Sequence, residues 1–358
     1  MERIGTDIHV VIVEFYTWHD ECLYTTCQLL KQSGAKVSLA LNKELKARVE
    51  KVFNGLVEEI HYFPFRQGLK GVVSLFNLHR LIRRKGYTHV YLNTASGSEA
   101  WKFCLIPISR LTKVIGTMHN IAKLTNSFGQ RIITRRLDGY VLLSDILMKR
   151  FHQACTKPVV SIYPIIYPQV KIAKLVKPEN DLWITIPGAV SLKRRDYFSL
   201  LPPQVGYAPH IKFIILGNKN KADGRQIYDA VCRAGVRDSF VFFDSFVSED
   251  VFYAYVLQSD YIMPLVHPGR GEYDKYLTEK ISGTYNLAIA YRKPMLCPVE
   301  MQDYEDFRDS SLFYSVENLQ NFINLLSPQN FDCFYQNPKW TQEVQQKRLA
   351  EFLGMLCK

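Results

Sequence analysis

The sequence predicts an α/β protein made of two doubly wound, parallel-sheet domains facing a cleft. Three observations carry this expectation. Continuous apolar runs such as "HVVIVEF" (9–15), "LWITIPG" (182–188) and "IKFIILG" (211–217) read as strands buried on both faces. Amphipathic helix-like segments alternate with such runs, a rhythm that puts helices on both faces of a parallel sheet. The rhythm breaks once, over residues 156–181, where four prolines read as a connector, and then restarts. A chain of 358 residues is comfortable for two domains. The expected partition is 1–165, 166–340 and a closing helix, 341–358, packing back towards the N-terminal domain.

In order, the first strand (9–15) leads to a helix at 21–32, stopped by Ser33-Gly34. "KVSLAL" (36–41) and "EIHYFPF" (59–65) read as strands. "SLFNLHRLIRRKG" (74–86) reads as an amphipathic helix closed by Gly86. Strands at 88–94, 113–120 and 138–144 alternate with helices at 98–111 and 145–154. In the second half, strand 182–188 precedes a short helix at 194–204 ended by prolines. Strand 211–217, helix 224–235, strand 239–246 and helix 248–258 follow, the last opened by Ser248 as capping residue. Strand 260–266 then leads to "EKISGTYNLAIAYRKPMLCP" (279–298), which supplies a helix from Ser282 and a short strand.

Hydrophobic residues make up 47% of the chain and charged residues 22%, ordinary for a globular protein. No apolar run is long enough to span a bilayer, and no secretory leader pattern opens the chain. A cytoplasmic location is expected, extending to the inner face of a membrane. The eight cysteines include no CxxC pair, which argues for reduced thiols rather than a disulfide framework or a zinc site. Residues 1–164 hold 23 Lys+Arg against 12 Asp+Glu, and the remainder 22 against 22. The positive excess therefore lies in the first half and points to an anionic partner there.

Ligands of open α/β sheets bind beyond the carboxyl ends of the strands. In "IPGAVSLKRRDY", Gly188 ends a strand, and Lys193, Arg194 and Arg195 follow within a turn of the next helix. Cations at a helix start oppose its dipole, so this placement favours an anionic ligand such as a diphosphate. In "ILGNKNKADG", Gly217 and Asn218 end a strand beside a turn. In the 279–298 stretch, a helix starting near Ser282 would aim the amides of Gly283, Thr284 and Tyr285 at an anion, with Ser282 or Thr284 adding a hydroxyl. Glu279 suits a sugar hydroxyl. His119 and Asn120 end a strand in the first half, with His119 a hydrogen-bond donor or base. His19 and Asp20 follow the first strand, and Asp20 beside His19 suggests a base. No DxD-type metal motif, Walker loop or G-x-G-x-x-G follows a strand at these places.

Taken together, "IPGAVSLKRRDYFSLL", "FIILG", "VFFDSFVSEDVFYAYVLQSDYIMPLV" and "EKISGTYNLAIAYRKPMLCP" resemble the GT-B glycosyltransferases, in particular the retaining family 4 group. The resemblance is strongest over 182–326 and implies two Rossmann-like domains. It implies transfer of a sugar from a nucleotide-sugar donor to a saccharide or lipid-linked acceptor, in cell-envelope polysaccharide synthesis, with retention of configuration. On this resemblance Gly188, Lys193 and Arg194 meet the donor diphosphate, and the amides of Ser282 to Thr284 its distal part. Glu279 corresponds to the first acid of the family's Glu–seven residues–Glu motif. The second acid falls on Leu287, with Asn286 adjacent. His119 matches a histidine near the transferred sugar, and base recognition falls near Ser245 in the "DSF" loop. No metal or other cofactor is implied, and no nucleic acid. A peripheral membrane contact through the basic first domain, including "NLHRLIRRKGY", follows from its charge. The alternatives are another GT-B activity such as nucleotide-sugar epimerisation, or a non-catalytic GT-B-like binding protein.

Overall fold

The structure is a computed structural model describing residues 8–125, 127–201, 206–221, 223–328 and 333–357. It divides into two compact units: unit 1 is Met1–Pro168, Thr278–Lys280 and Lys339–Lys358, and unit 2 is Gln169–Leu277 and Ile281–Pro338.

Unit 1 contains the strands β1 (His9–Glu14), β2 (Lys36–Asn42), β3 (Glu59–Phe63), β4 (His89–Leu92), β5 (Lys113–Thr117), β6 (Gly139–Leu142) and β7 (Val159–Ser161). They pair in parallel in the order β3-β2-β1-β4-β5-β6-β7. Between them run α1 (Glu21–Gln32), α2 (Lys46–Phe53), α3 (Gly68–Lys85), α4 (Ser98–Leu105), α5 (Phe128–Arg136) and α6 (Met148–Ala154). Val10 to Val13 are fully buried, as a central parallel strand requires. The strand order reverses between β1 and β4, so loops leaving the carboxyl ends of these two strands diverge, which is where ligands of such sheets bind.

Unit 2 repeats the plan. Its strands are β8 (Leu182–Pro187), β9 (Ile211–Asn218), β10 (Phe240–Phe243), β11 (Tyr261–Ile262), β12 (Met295–Pro298) and β13 (Ser311–Tyr314). They pair in parallel in the order β10-β9-β8-β11-β12-β13, with the reversal between β8 and β11. The helices are α7 (Gly224–Arg233), α8 (Glu249–Gln258), α9 (Tyr273–Thr278), α10 (Gly283–Ala290), α11 (Glu305–Arg308) and α12 (Leu319–Asn324). The closing helix α13 (Gln342–Cys357) belongs to unit 1, where Leu349, Phe352 and Leu353 join the core with Leu23 and Leu30 of α1.

Several expectations need correction. The Pro-rich segment is not only a connector: Val159 to Ser161 add a seventh strand beside β6. Helix α3 starts at Gly68, six residues before Ser74, and ends as expected on Gly86, whose φ of 64° only glycine adopts freely. Helix α4 stops at Leu105 rather than 111, because Pro107 forces Ile106 into extended backbone. The helix expected at 194–204 is only a 3₁₀ turn at Tyr197–Leu200, and its prolines lie outside the described residues. Ser248 stands at the start of α8, but its hydroxyl accepts no helix amide.

Candidate active site

In unit 1 the switch point between β1 and β4 is filled by a polar cluster on Glu14. This side chain is fully buried at the end of an otherwise apolar strand. Its Oε1 accepts from the Tyr16 amide at 2.8 Å, and its Oε2 accepts from Asn93 Nδ2 at 2.6 Å and Thr94 Oγ1 at 2.7 Å. Asn93 Nδ2 also donates to the His19 carbonyl at 2.8 Å. That bond supports a residue in the left-handed region, since His19 has φ 66°. The Asn93 carbonyl in turn accepts from His119 Nε2 at 2.8 Å. The rings of His19 and His119 stack, with centroids 3.7 Å apart and planes 8° from parallel. One asparagine thus sets the backbone of one histidine and the tautomer of the other, leaving His119 Nδ1 as the ring's acceptor.

Burial, with the neighbouring His19 ring and against the bond to Asn93, pulls the His119 pKa down to about 3. His119 is therefore neutral near pH 7 and a weak base, with its N–H already committed to Asn93, so of the expected roles the acceptor position remains. His19 and Asp20, expected beside each other as a base, take different partners. His19 Nδ1 faces Glu21 Oε1 at 3.5 Å, whereas Asp20 Oδ2 lies 3.3 Å from Arg48 Nη1. Burial raises the Asp20 pKa despite Arg48. Nearby, Trp18 stacks on Tyr16 (4.9 Å, 15°) with the Arg66 guanidinium 5.1 Å from the Trp18 ring, and Trp18 is 45% exposed.

Burial pushes the Glu14 carboxyl up to about 7, against the opposing pull of its three donors. As pH rises from about 4.5 to 7, the unfolded chain gives up this proton first. The folded state then holds more protons, so stability falls across that window and the loss is complete above it. Glu14→Gln faces an amide donor with other donors and is destabilised by about 1–3 kcal/mol, but carries no such pH term. The wild-type advantage over the variant is expected to shrink by on the order of 3 kcal/mol between pH 4.5 and 7.5, read by urea unfolding. A gap independent of pH would refute this titration.

Unit 2 is organised around Arg195 at the reversal between β8 and β11. Its guanidinium donates to the Pro187 carbonyl, to the Ala189 carbonyl at 2.9 Å, to the Pro264 carbonyl at 3.3 Å and to Thr284 Oγ1 at 3.0 Å. The loops after β8 and β11 and the start of α10 are thereby tied to one side chain. Asp196 extends the tie: its amide donates to the Leu265 carbonyl, and its carboxylate lies 3.2 Å from Nδ1 of buried His267. Lys193 and Arg194 remain exposed in a turn, not on a helix as expected, because the amides of Arg194 and Arg195 both bond the Ser191 carbonyl. The "HPGRG" segment folds over this turn: a Cβ on Gly271 would meet the Lys193 carbonyl at 2.5 Å, so only glycine fits. Gly188 has φ 100°, and Gly217 lies so near it that a Cβ there would meet the Gly188 carbonyl at 2.6 Å.

At the start of α10 the expected three free amides reduce to one. Ser282 Oγ accepts from the Thr284 amide at 3.3 Å and the Ser282 carbonyl from the Tyr285 amide at 2.9 Å. Gly283 is exposed, and nothing would meet a Cβ there within 4 Å. Thr284 is buried against Arg195 rather than offering its hydroxyl outward, and Asn286 is buried with Oδ1 unpartnered. Leu287, at the position of the second acid, is buried apolar surface. Asn218 Oδ1 is turned inward to the Asn220 amide at 2.8 Å. Ser245 is exposed after β10, beside Asp244, which pairs with Lys219 at 2.8 Å. Glu279 belongs to unit 1: its carbonyl accepts from the Ile121 amide at 2.7 Å, and its carboxylate lies 3.8 Å from Arg150 Nη2. Sequence reasoning missed Glu14 and Asn93, although an acid closing an apolar strand and the "LNT" strand end were visible signals. It named Arg195 without separating it from its neighbours. Among the described residues no group of three or more His, Cys, Asp or Glu side chains is arranged to hold a metal ion.

Two Rossmann-like units, each with one parallel sheet and helices, define the GT-B fold. Neither a protein-family model nor a curated protein matches the chain in sequence. Solved structures do match in fold. The chain is similar to a glycosyltransferase from Rickettsia africae, at 12% identity and TM-score 0.57, over 98% of this chain and 96% of that one. It is similar to Anabaena HepE in complex with UDP and glucose, at 13% identity and TM-score 0.61, over 97% and 100%. It is also similar to a UDP-GlcNAc 2-epimerase from Neisseria meningitidis bound to UDP-GlcNAc, at 10% identity and TM-score 0.59, over 97% and 99%.

Proposed function

We propose that the protein is a glycosyltransferase that moves a sugar from a nucleotide-sugar donor held by unit 2 to a saccharide or lipid-linked acceptor held by unit 1. The observation that carries this reading is the Arg195 tie. It gathers Gly188, the exposed Lys193–Arg194 turn and the open Gly283 amide at the carboxyl ends of one sheet, where a diphosphate finds cations and a backbone donor together. The presence of UDP and glucose in the HepE structure supports it. The reaction is displacement at the anomeric carbon with a nucleoside diphosphate leaving. Lys193, Arg194 and the Gly283 amide offset the leaving charge, so no metal is required. His119 Nδ1 accepts a sugar hydroxyl proton in a hydrogen bond, Glu279 another, and the exposed face of Trp18 suits an acceptor sugar ring. Retention of configuration and a place in cell-envelope polysaccharide synthesis complete the reading.

The test is release of nucleoside diphosphate from UDP-, GDP- and dTDP-sugars, with chelator present and absent. Lys193→Ala with Arg194→Ala is expected to weaken nucleoside diphosphate binding at least tenfold, about 1.4 kcal/mol, with little change in melting temperature. Unchanged affinity would sink the diphosphate assignment. The epimerases among the similar structures favour a second reading, nucleotide-sugar epimerisation. An isomer of unchanged mass, rather than transfer to an acceptor, would establish it.

A further inference from the structure

We propose that the solvent face of α3 is a docking surface for an anionic lipid bilayer. Leu69, Val72, Val73 and Phe76 recur at i, i+3, i+4 and i+7 and are 86, 42, 56 and 57% exposed. The opposite face of the helix, with Leu75, Leu78 and Ile82, is buried in unit 1, so core packing does not account for the exposed row. Single exposed apolar residues are ordinary, but a row filling two consecutive turns is not. At about 100° per residue, Arg80, Arg83 and Arg84 continue the same row through the last two turns. The helix contains no acidic residue. Among the described residues, Arg80 and Arg84 have no ion-pair partner.

Charge decides the occupant. A protein partner with an apolar pocket would accommodate the four hydrophobic side chains but would not call for a cationic run on the same line. A layer of anionic headgroups above hydrocarbon matches both halves: the apolar row enters the acyl boundary and the arginines lie among the headgroups. The positive excess of residues 1–164, 23 basic against 12 acidic, adds long-range attraction of the same sign. No helix among the described residues is long and apolar enough to cross a membrane, so this is contact at one leaflet. The apolar row makes it an inserted contact, beyond the charge attraction that the basic segment 77–87 alone would give. The proposal rests on unit 1 and does not depend on glycosyl transfer.

Vesicle flotation of the full chain tests it. The wild type is expected to float with mixed phosphatidylcholine–phosphatidylglycerol vesicles at low salt, and far less with phosphatidylcholine alone. Arg80→Gln with Arg84→Gln should weaken binding about 30-fold, roughly fivefold per cation. Val73→Glu with Phe76→Glu should weaken it at least tenfold at an unchanged melting temperature. The proposal is overturned by equal capture on neutral vesicles, or by wild-type binding in either double variant. It is also overturned by a wild-type dimer in solution that Val73→Glu with Phe76→Glu dissociates, because the row would then cover a second copy.

Discussion

Arg195→Met is expected to abolish nucleoside diphosphate binding and to lower the melting transition of unit 2 by roughly 6–12 °C. Four acceptors lose their donor at once: the carbonyls of Pro187, Ala189 and Pro264 and the hydroxyl of Thr284. Hydrogen bonds from a charged donor contribute about 1.5–3 kcal/mol each, but the loop carbonyls regain water when the loops relax, so a net loss near 3 kcal/mol is the working figure. For a unit of this size, each kcal/mol moves the transition by about 2–4 °C. Arg194→Met, one residue earlier, removes an exposed cation and should leave the transition in place. Calorimetry with nucleotide titration separates them. Equal shifts in the two variants would mean that Arg195 does not hold the loops.

The second large effect is expected at Asn93. Asn93→Ala strips Glu14 of one of its donors and frees the His19 carbonyl, while the backbone carbonyl bonded to His119 remains. A buried carboxylate left short of a donor costs about 1–3 kcal/mol, and a truncated buried side chain adds to it, so about 3 kcal/mol of unfolding free energy should be lost. His19 no longer has a reason to hold a φ of 66°, and the ring stack with His119 should open. The loss is read by chemical denaturation and the stack by the ring-proton shifts of the two histidines. Unchanged shifts would show that the stack stands without Asn93.

What the sequence displayed and what it hid follow a physical division. Helix α1 was legible to the residue because its stop, Ser33-Gly34, is local chemistry; Asp20 stands before its start but makes no capping hydrogen bond. Strand β7 was not, because three residues between Pro158 and Pro164 carry too little pattern to outweigh their flanks. Gly188, Lys193, Arg194 and Gly283 stood out because strand ends, charge and helix starts are read from neighbours in the chain. Arg195 looked identical to Arg194, and only the carbonyls around it distinguish them. The link from Glu14 to Asn93 spans 79 residues, and no window of sequence contains it. The pairing of Asp20 with Arg48 instead of His19 was hidden for the same reason.

The position of α13 sets the order in which the protein is made. Gln345 is fully buried, its Oε1 accepting from the Tyr163 amide at 2.9 Å, and Arg348 bonds both oxygens of Asp145. A Cβ on Gly139 would meet the Phe352 ring at 2.6 Å, so strand β6 is shaped to receive that ring. Unit 1 therefore lacks part of its core until residues 342–357 leave the ribosome. At about 5–20 residues per second, the nascent first unit waits roughly 10–40 s while unit 2 is synthesised and free to fold. The unit begun first is thus completed only after unit 2 has been synthesised, and through that interval the apolar α1 face that α13 covers stays open.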